Sequence, residues 1–287
     1  MNVGNMEVLP IECGGFRLDG GSMFGVVPKG QWERHAPADE DNRIAIALRA
    51  MLVRAGPDVI LVDTGIGEDL PHKMRDTYAV DHEDSSLARS LKEAGLGLAD
   101  ITHVILTHLH FDHAGGATRI APSGRMAPTF PNATYYVQRR QYDWAVAPED
   151  YDGASYLPEN FASLKEKGCL ELLDGEAEIA AGVTVVPVHG HTPGQQLVEV
   201  SAKGESLLYC ADLIPTTAHV HVPWIMSYDL EPLVTVREKR ALLEVASAGG
   251  WTLFYEHDPR VVASAVAKTA KGYRIAEPIV RAHSAAG

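Results

Sequence analysis

The chain has 287 residues and a formal net charge of −13, with 46% apolar and 22% charged residues. This suits a soluble globular protein with a sizeable core, the acidic balance speaks against nucleic acid as a partner, and no apolar run approaches the roughly 20 residues of a membrane span. The N-terminal MNVGNMEVLPIECGG lacks a basic segment followed by an apolar one, so no secretory signal is read there. Cys13, Cys169 and Cys210 are widely separated and odd in number, which predicts free thiols and a cytoplasmic location.

Residues 18–44, LDGGSMFGVVPKGQWERHAPADEDNRI, read as loop-like, with a turn at Gly20-Gly21 and the apolar Met23, Phe24 and Trp32. Residues 43–65 read as two strands joined by Gly56-Pro57-Asp58, the second ending at Asp63. A helix over 84–96 has an Asp/Ser start and a Gly stop, and 101–108 is a short buried strand. A strand at 133–138 and a helix near 139–146 follow, then an irregular stretch over 147–168 with a short helix near 160–167. Strands are predicted at about 183–188, 196–201 and 206–211. Residues 231–250 form a helix with Leu233, Val236, Leu242, Leu243 and Val245 as its apolar positions, stopped by two glycines. A strand at 251–258 and a last helix at 259–271 complete the chain. This order predicts a layered α/β fold with sheets inside and helices outside.

Residues 105–116, ILTHLHFDHAGG, crowd His108, His110, Asp112 and His113 at the end of an apolar strand. In an extended segment His108 and His110 face one side; Asp112 and His113, where the chain turns, point to a second place nearby. Imidazole nitrogen and carboxylate oxygen are the usual ligands of zinc and neighbouring metals. Four such groups do not complete two coordination shells, so others must come from elsewhere. Candidates stand at further strand ends: His189 and His191 in VPVHGHTPGQ, Asp212 in LLYCADL and His257 in LFYEHD.

This set resembles the metallo-β-lactamase superfamily. Its HxHxDH motif stands as His108, His110, Asp112 and His113; its later histidine matches His191, its bridging aspartate Asp212, its last histidine His257 and its early strand aspartate Asp63. The resemblance covers about 43–258. It implies an αββα sandwich, two mixed sheets flanked by helices, taken as one domain over 1–287. It also implies two divalent metal ions, zinc foremost, with manganese, cobalt or iron as alternatives. His108, His110 and His191 would hold one ion, Asp112, His113 and His257 the other, and Asp212 would bridge. Asp63 would fix a ligand or loop from behind, while His189 is left to a structural role and His103, ahead of the strand, to the surface.

The implied chemistry is attack by a metal-bridging hydroxide on a carbonyl carbon or on phosphorus. Asp112, as proton carrier, and Asp212 are the catalytic candidates. The presence of Asp212 argues against β-lactam hydrolysis, His110 stands where flavodiiron-type relatives carry glutamate, and the tail 267–287 has no defensible match to a glutathione-binding segment. What remains resembles the lactonase and organophosphate-hydrolase branch. Pro215 stands where lactonases often place a tyrosine, which leaves the leaving-group donor open among His219, His221 and Tyr228. At strand spacing His219 and His221 would share a face. Met23, Phe24, His219, His221 and Tyr228 are the candidate pocket. The expected substrate is a small lactone or related ester, N-acyl homoserine lactones included. Phosphotriester, carboxylester and thioester hydrolysis are the alternatives, and a mononuclear iron sulfur dioxygenase is the reading from another class. No nucleic-acid or membrane partner is expected; a homodimer is left open.

Overall fold

The computed structural model describes residues 1–281. The last six positions of the tail, 282–287, lie outside the described residues. The strands are β1 (Asn2–Val3), β2 (Met6–Asp19), β3 (Arg43–Ala55), β4 (Asp58–Val62), β5 (His103–Ile105), a side hairpin of β6 (Thr118–Ile120) and β7 (Met126–Pro128), β8 (Thr134–Gln138) and β9 (Leu170–Leu173). Without the side hairpin these form a seven-stranded sheet in the order β1-β2-β3-β4-β5-β8-β9. The second seven-stranded sheet runs in chain order through β10 (Ala177–Ala180), β11 (Val183–Val188), β12 (Gln195–Ala202), β13 (Glu205–Tyr209), β14 (Thr252–Phe254), β15 (Val261–Thr269) and β16 (Gly272–Val280). Both are mixed: β5 pairs in parallel with β4 and β8, and β13 with β14, amid antiparallel neighbours.

The residues of β3 show why two layers form. Its near-continuous apolar run is buried on both faces. Leu48, Ala50 and Leu52 join one core with Leu91, Tyr142 and Leu164 of the helices α4 (Leu87–Glu93), α6 (Arg139–Val146) and α7 (Ala162–Glu166). Met51 and Val53, on the other face, join the second core with Val185, Val198 and Tyr209 of the second sheet. On the way lie the short α1 (Gly20–Phe24), α2 (Lys29–Trp32), α3 (His72–Thr77) and α5 (Phe111–Ala114). The two mixed sheets flanked by helices are the αββα sandwich that the family resemblance implied.

Several elements differ from the sequence reading, the following among them. Residues 261–269 are a strand, not a helix: their alanines favour a helix locally, but Val262, Ala263 and Val266 are buried and the segment pairs with both β14 and β16. Asp258 sets its start, its Oδ1 accepting from the backbone N–H groups of Arg260 and Val261 at 3.0 and 2.8 Å. The long β2 was not anticipated, because Pro10, Gly14-Gly15 and a register shift between Glu12 and Gly15 break its alternation. Residues 217–220 form a 3-10 turn, so His219 and His221 are not at strand spacing.

The helix α8 (Pro232–Gly249) begins on its proline and ends at Gly250 in the left-handed region, φ 65°. Its buried face carries Thr235, Lys239, Leu243 and Ala246, while Leu233 is 71% and Val245 53% exposed. The fully buried Lys239 turns the helix this way: its Nζ donates to the carbonyls of His219, at 3.1 Å, and of Trp224. Burial lowers the Lys239 pKa from 10.5 to about 7. Between those values the unfolded chain holds more protons than the folded one, so this group makes stability rise with pH from about 7 towards 10. Urea unfolding of wild type and Lys239→Met across that range should show the gap between them widening in favour of wild type; a constant gap would contradict the assignment.

Candidate metal centre

The first cluster of polar residues sits between the end of β5 and the single turn of α5. Here the backbone is pressed against the turn after β4: a Cβ on Gly115 would lie 2.2 Å from the Ile66 carbonyl oxygen. Only glycine admits that approach, and it brings His113 against Asp63. Asp63 itself lies at φ 58°, a costly region for a non-glycine residue. Its carboxylate accepts from the Thr107 N–H and hydroxyl, each at 2.7 Å, and lies 3.1 Å from His113 Nδ1.

The second sheet brings the remaining residues on three turns. His191 follows β11; its Nδ1 lies 3.0 Å from Asp229 Oδ1, and the next residue, Thr192, bonds Gln141 and Tyr156 from the first half of the chain. Asp212 follows β13 in a 3-10 turn at Ala211–Leu213. His257 follows β14, and its Nδ1 donates to the Ala47 carbonyl of β3 at 2.8 Å. That last turn is braced by Arg49, also on β3 and fully buried. One guanidinium nitrogen donates to the carbonyls of Tyr255 (2.8 Å) and Asp258 (3.0 Å), and Nε meets Glu12 at 2.7 Å.

Side-chain nitrogens and oxygens converge as a result. His110 Nδ1 is 3.0 Å from His108 Nε2 and 3.2 Å from His191 Nε2. His113 Nε2 and His257 Nε2 are 3.2 Å apart, and Asp112 Oδ2 lies 3.7 and 3.6 Å from them. Asp212 lies between the groups, Oδ2 at 3.2 Å from His191 and Oδ1 at 3.2 Å from His257. Burial and the crowding of imidazoles hold His108 and His110 well below the usual histidine range, so both offer lone pairs. Burial opposes the charge of Asp212, yet His113, His257 and His191 hold its carboxyl well below the usual carboxylate range.

Imidazole nitrogens facing one another at these distances, with a carboxylate between them, need a positive centre to share. Asp212 Oδ1 is buried with no hydrogen-bond partner among the described residues. The chemistry of the donor set and this orphaned oxygen fit divalent cations. His189 stays outside; its Nδ1 accepts from the Gly194 N–H at 3.2 Å.

Two buried carboxylates escaped the sequence reading. Asp229 backs His191, and Glu256, fully buried, has Oε2 2.9 Å from His113 Nδ1. Glu256 had a signal in its place beside His257; Asp229 had none beyond its type.

Above this floor opens a cleft. His110, Asp112, His191, Asp212 and His257 form its base; Leu18, Met23, Tyr78, Phe111, Met226 and Tyr228 are among its walls, and no lysine or arginine lines it among the described residues. Of the expected pocket residues, Met23 and Tyr228 face the cleft, while Phe24, His219 and His221 do not line it. His219 is buried behind the wall, its Nε2 donating to the Met23 carbonyl at 2.8 Å, and its ring stacks on Phe24, which stacks on Trp32. Burial pushes its pKa down to about 3. His221 is exposed, its ring against Trp224. The 3-10 turn separates the two.

The family model of the metallo-β-lactamase superfamily matches residues 49–257. The chain belongs to that superfamily. It is 31% identical to the N-acyl homoserine lactonase AttM of Azorhizobium caulinodans, over 63% of this chain and 67% of that one. It is 30% identical to a probable metallo-hydrolase of Mycobacterium tuberculosis, over 67% of this chain and 66% of that one. The chain thus spans about two thirds of the length of these curated relatives. Among solved structures, a probable metal-dependent hydrolase from Staphylococcus aureus superposes with a TM-score of 0.90 at 29% identity, over 98% of this chain and 99% of that one. The dizinc quorum-quenching lactonase AidC shares the fold, with a TM-score of 0.79 at 21% identity, over 98% and 96% of the two chains. No helix of the described residues is long and apolar enough to cross a membrane.

The bracing of the last turn gives a direct test. Arg49→Met removes the partner of two buried carbonyls and of Glu12. Loss of about 3 kcal/mol in urea unfolding is expected; an unchanged midpoint would show that the turn holds itself.

Proposed function

We propose that this protein is a metal-dependent hydrolase of uncharged esters, lactones foremost, working with two divalent ions of which zinc is the first candidate. The observation that carries the reading is the position of the His/Asp cluster at the base of a cleft with apolar and aromatic walls and no cationic side chain among its described lining residues. The curated relatives named as lactonases support the choice of substrate.

In this reading His108, His110 and His191 hold one ion, Asp112, His113 and His257 the other, and Asp212 lies between them. Bound there, such ions supply a water of lowered pKa and an electrophile for the carbonyl oxygen. The chain's own residues do the rest. Leu18, Met23, Phe111 and Met226 bind an apolar arm and exclude water from the base. Asp112, at the base, takes up the proton released by the attacking water and returns it to the donor that protonates the leaving oxygen. Pro215 has no proton to give; its carbonyl accepts from the His257 N–H at 3.1 Å. The donor is assigned to Tyr228, which lines the cleft and whose phenol burial pushes up to about 12, so that it stays protonated.

A cleft with acidic lining residues and no lysine or arginine among them gives the carboxylate of a substrate no side-chain partner. Neutral lactones should therefore be turned over at least about tenfold more efficiently than β-lactams or glutathione thioesters of similar size. Tyr228→Phe should lower kcat by about a hundredfold on alkyl lactones and much less on aryl esters, whose leaving groups need no proton; equal losses on both would remove the tyrosine from this role. Dialysis against a chelator should abolish activity, with zinc, manganese, cobalt or iron restoring it. His191→Ala should lose metal and activity together, and full activity in that variant would end the hydrolase reading.

A further inference from the structure

The imidazoles of the cluster are not backed alike. His108 Nδ1 lies 3.1 Å from the Thr107 hydroxyl, His257 Nδ1 meets the Ala47 carbonyl, and His191 Nδ1 meets one carboxylate, Asp229. His113 Nδ1 faces two, Asp63 Oδ2 at 3.1 Å and Glu256 Oε2 at 2.9 Å. One N–H does not satisfy both. Asp63 already accepts two hydrogen bonds from Thr107. Glu256 has no such supply: both its oxygens are buried and without a hydrogen-bond partner among the described residues. Nor is it free to swing out, because Arg49 grips the carbonyls on either side, Tyr255 and Asp258.

A buried carboxylate without donors is costly unless positive charge lies close by. A cation seated across the imidazole ring, where His113 Nε2 faces Asp112 and His257, would meet that need. Asp63, hydrogen-bonded to His113 Nδ1, fixes the tautomer; a second negative charge beside the same nitrogen, from Glu256, makes the opposite nitrogen a stronger ligand. We propose that Glu256 is a positioning residue which makes the seat formed by Asp112, His113 and His257 the tighter of the two cation seats, so that it fills first. This rests on the metal-dependent reading above and extends it to the order of loading.

The test is a titration of chelator-stripped protein with cobalt, read by visible absorption and by the ¹⁵N imidazole resonances. In wild type the signals of His113 and His257 should shift with the first equivalent, ahead of those of His108, His110 and His191, with the two steps separated about tenfold or more in affinity. Glu256→Gln keeps the shape and removes the charge; it should weaken the first step by about ten- to a hundredfold and leave the second nearly unmoved. Asp229→Asn, behind His191, should do the opposite and widen the separation. Filling of the His108 side first, indistinguishable steps in wild type, or equal weakening of both steps in Glu256→Gln would overturn the proposal. The wild-type order stands as a test even if that variant fails to fold. Binding of no metal at all would overturn both this inference and the hydrolase reading, whereas two bound ions unaffected by Glu256→Gln would overturn this one alone.

Discussion

The buried guanidinium of Arg49 ties the two halves of the molecule together at the point where the chemistry is placed. It extends from β3 in the first sheet into the turn after β14 in the second, and takes up two main-chain carbonyls there. Around it, the Ala47 N–H and carbonyl bond the backbone and ring of His257, and the Tyr209 hydroxyl donates to the Arg49 carbonyl. The sheets pack through apolar contacts that specify distance and little else; these directional bonds set the register of one sheet's end against the other. A hydrogen bond misaligned by an ångström is largely lost, so the bracing fixes where His257 and Glu256 sit relative to His113.

That placement concentrates acid. The sequence reading places two carboxylates, Asp112 and Asp212, among the histidines and a third, Asp63, behind them. Folding adds two more buried carboxylates, Asp229 and Glu256, behind histidines of which His113 is already backed by Asp63. The surroundings of the cluster are therefore strongly acidic, and no lysine or arginine stands among the described lining residues of the cleft. The cleft continues the same logic upward, with aromatic and aliphatic walls over an acidic base.

Much of this was legible in the chain itself. The HxHxDH cluster is local, and extended spacing alone puts His108 and His110 on one side. His191, Asp212 and His257 were legible because each closes an apolar strand-like run. The strands of the sandwich interior were readable from runs such as that of β3. Local signals failed where pairing overrode them. Alanine-rich β15 reads as a helix until its partners β14 and β16 are known, and β2 hides behind Pro10 and a bulge. His219 was misplaced for a related reason: a 3-10 turn has no periodicity that a short polar stretch reveals, and its ring was drawn into a stack with Phe24 and Trp32.

The sequence by itself determined the class of fold and the donor types, because apolar alternation and ligand spacing are properties of neighbours along the chain. Only the tertiary structure decided which side chains wall the cleft, which carboxylates stand behind which histidines, and that Lys239 rather than Leu233 faces inward. Those outcomes depend on contacts between residues far apart in the chain, such as Arg49 with Tyr255 or Glu256 with His113. Their energy exists only once both sheets are in place.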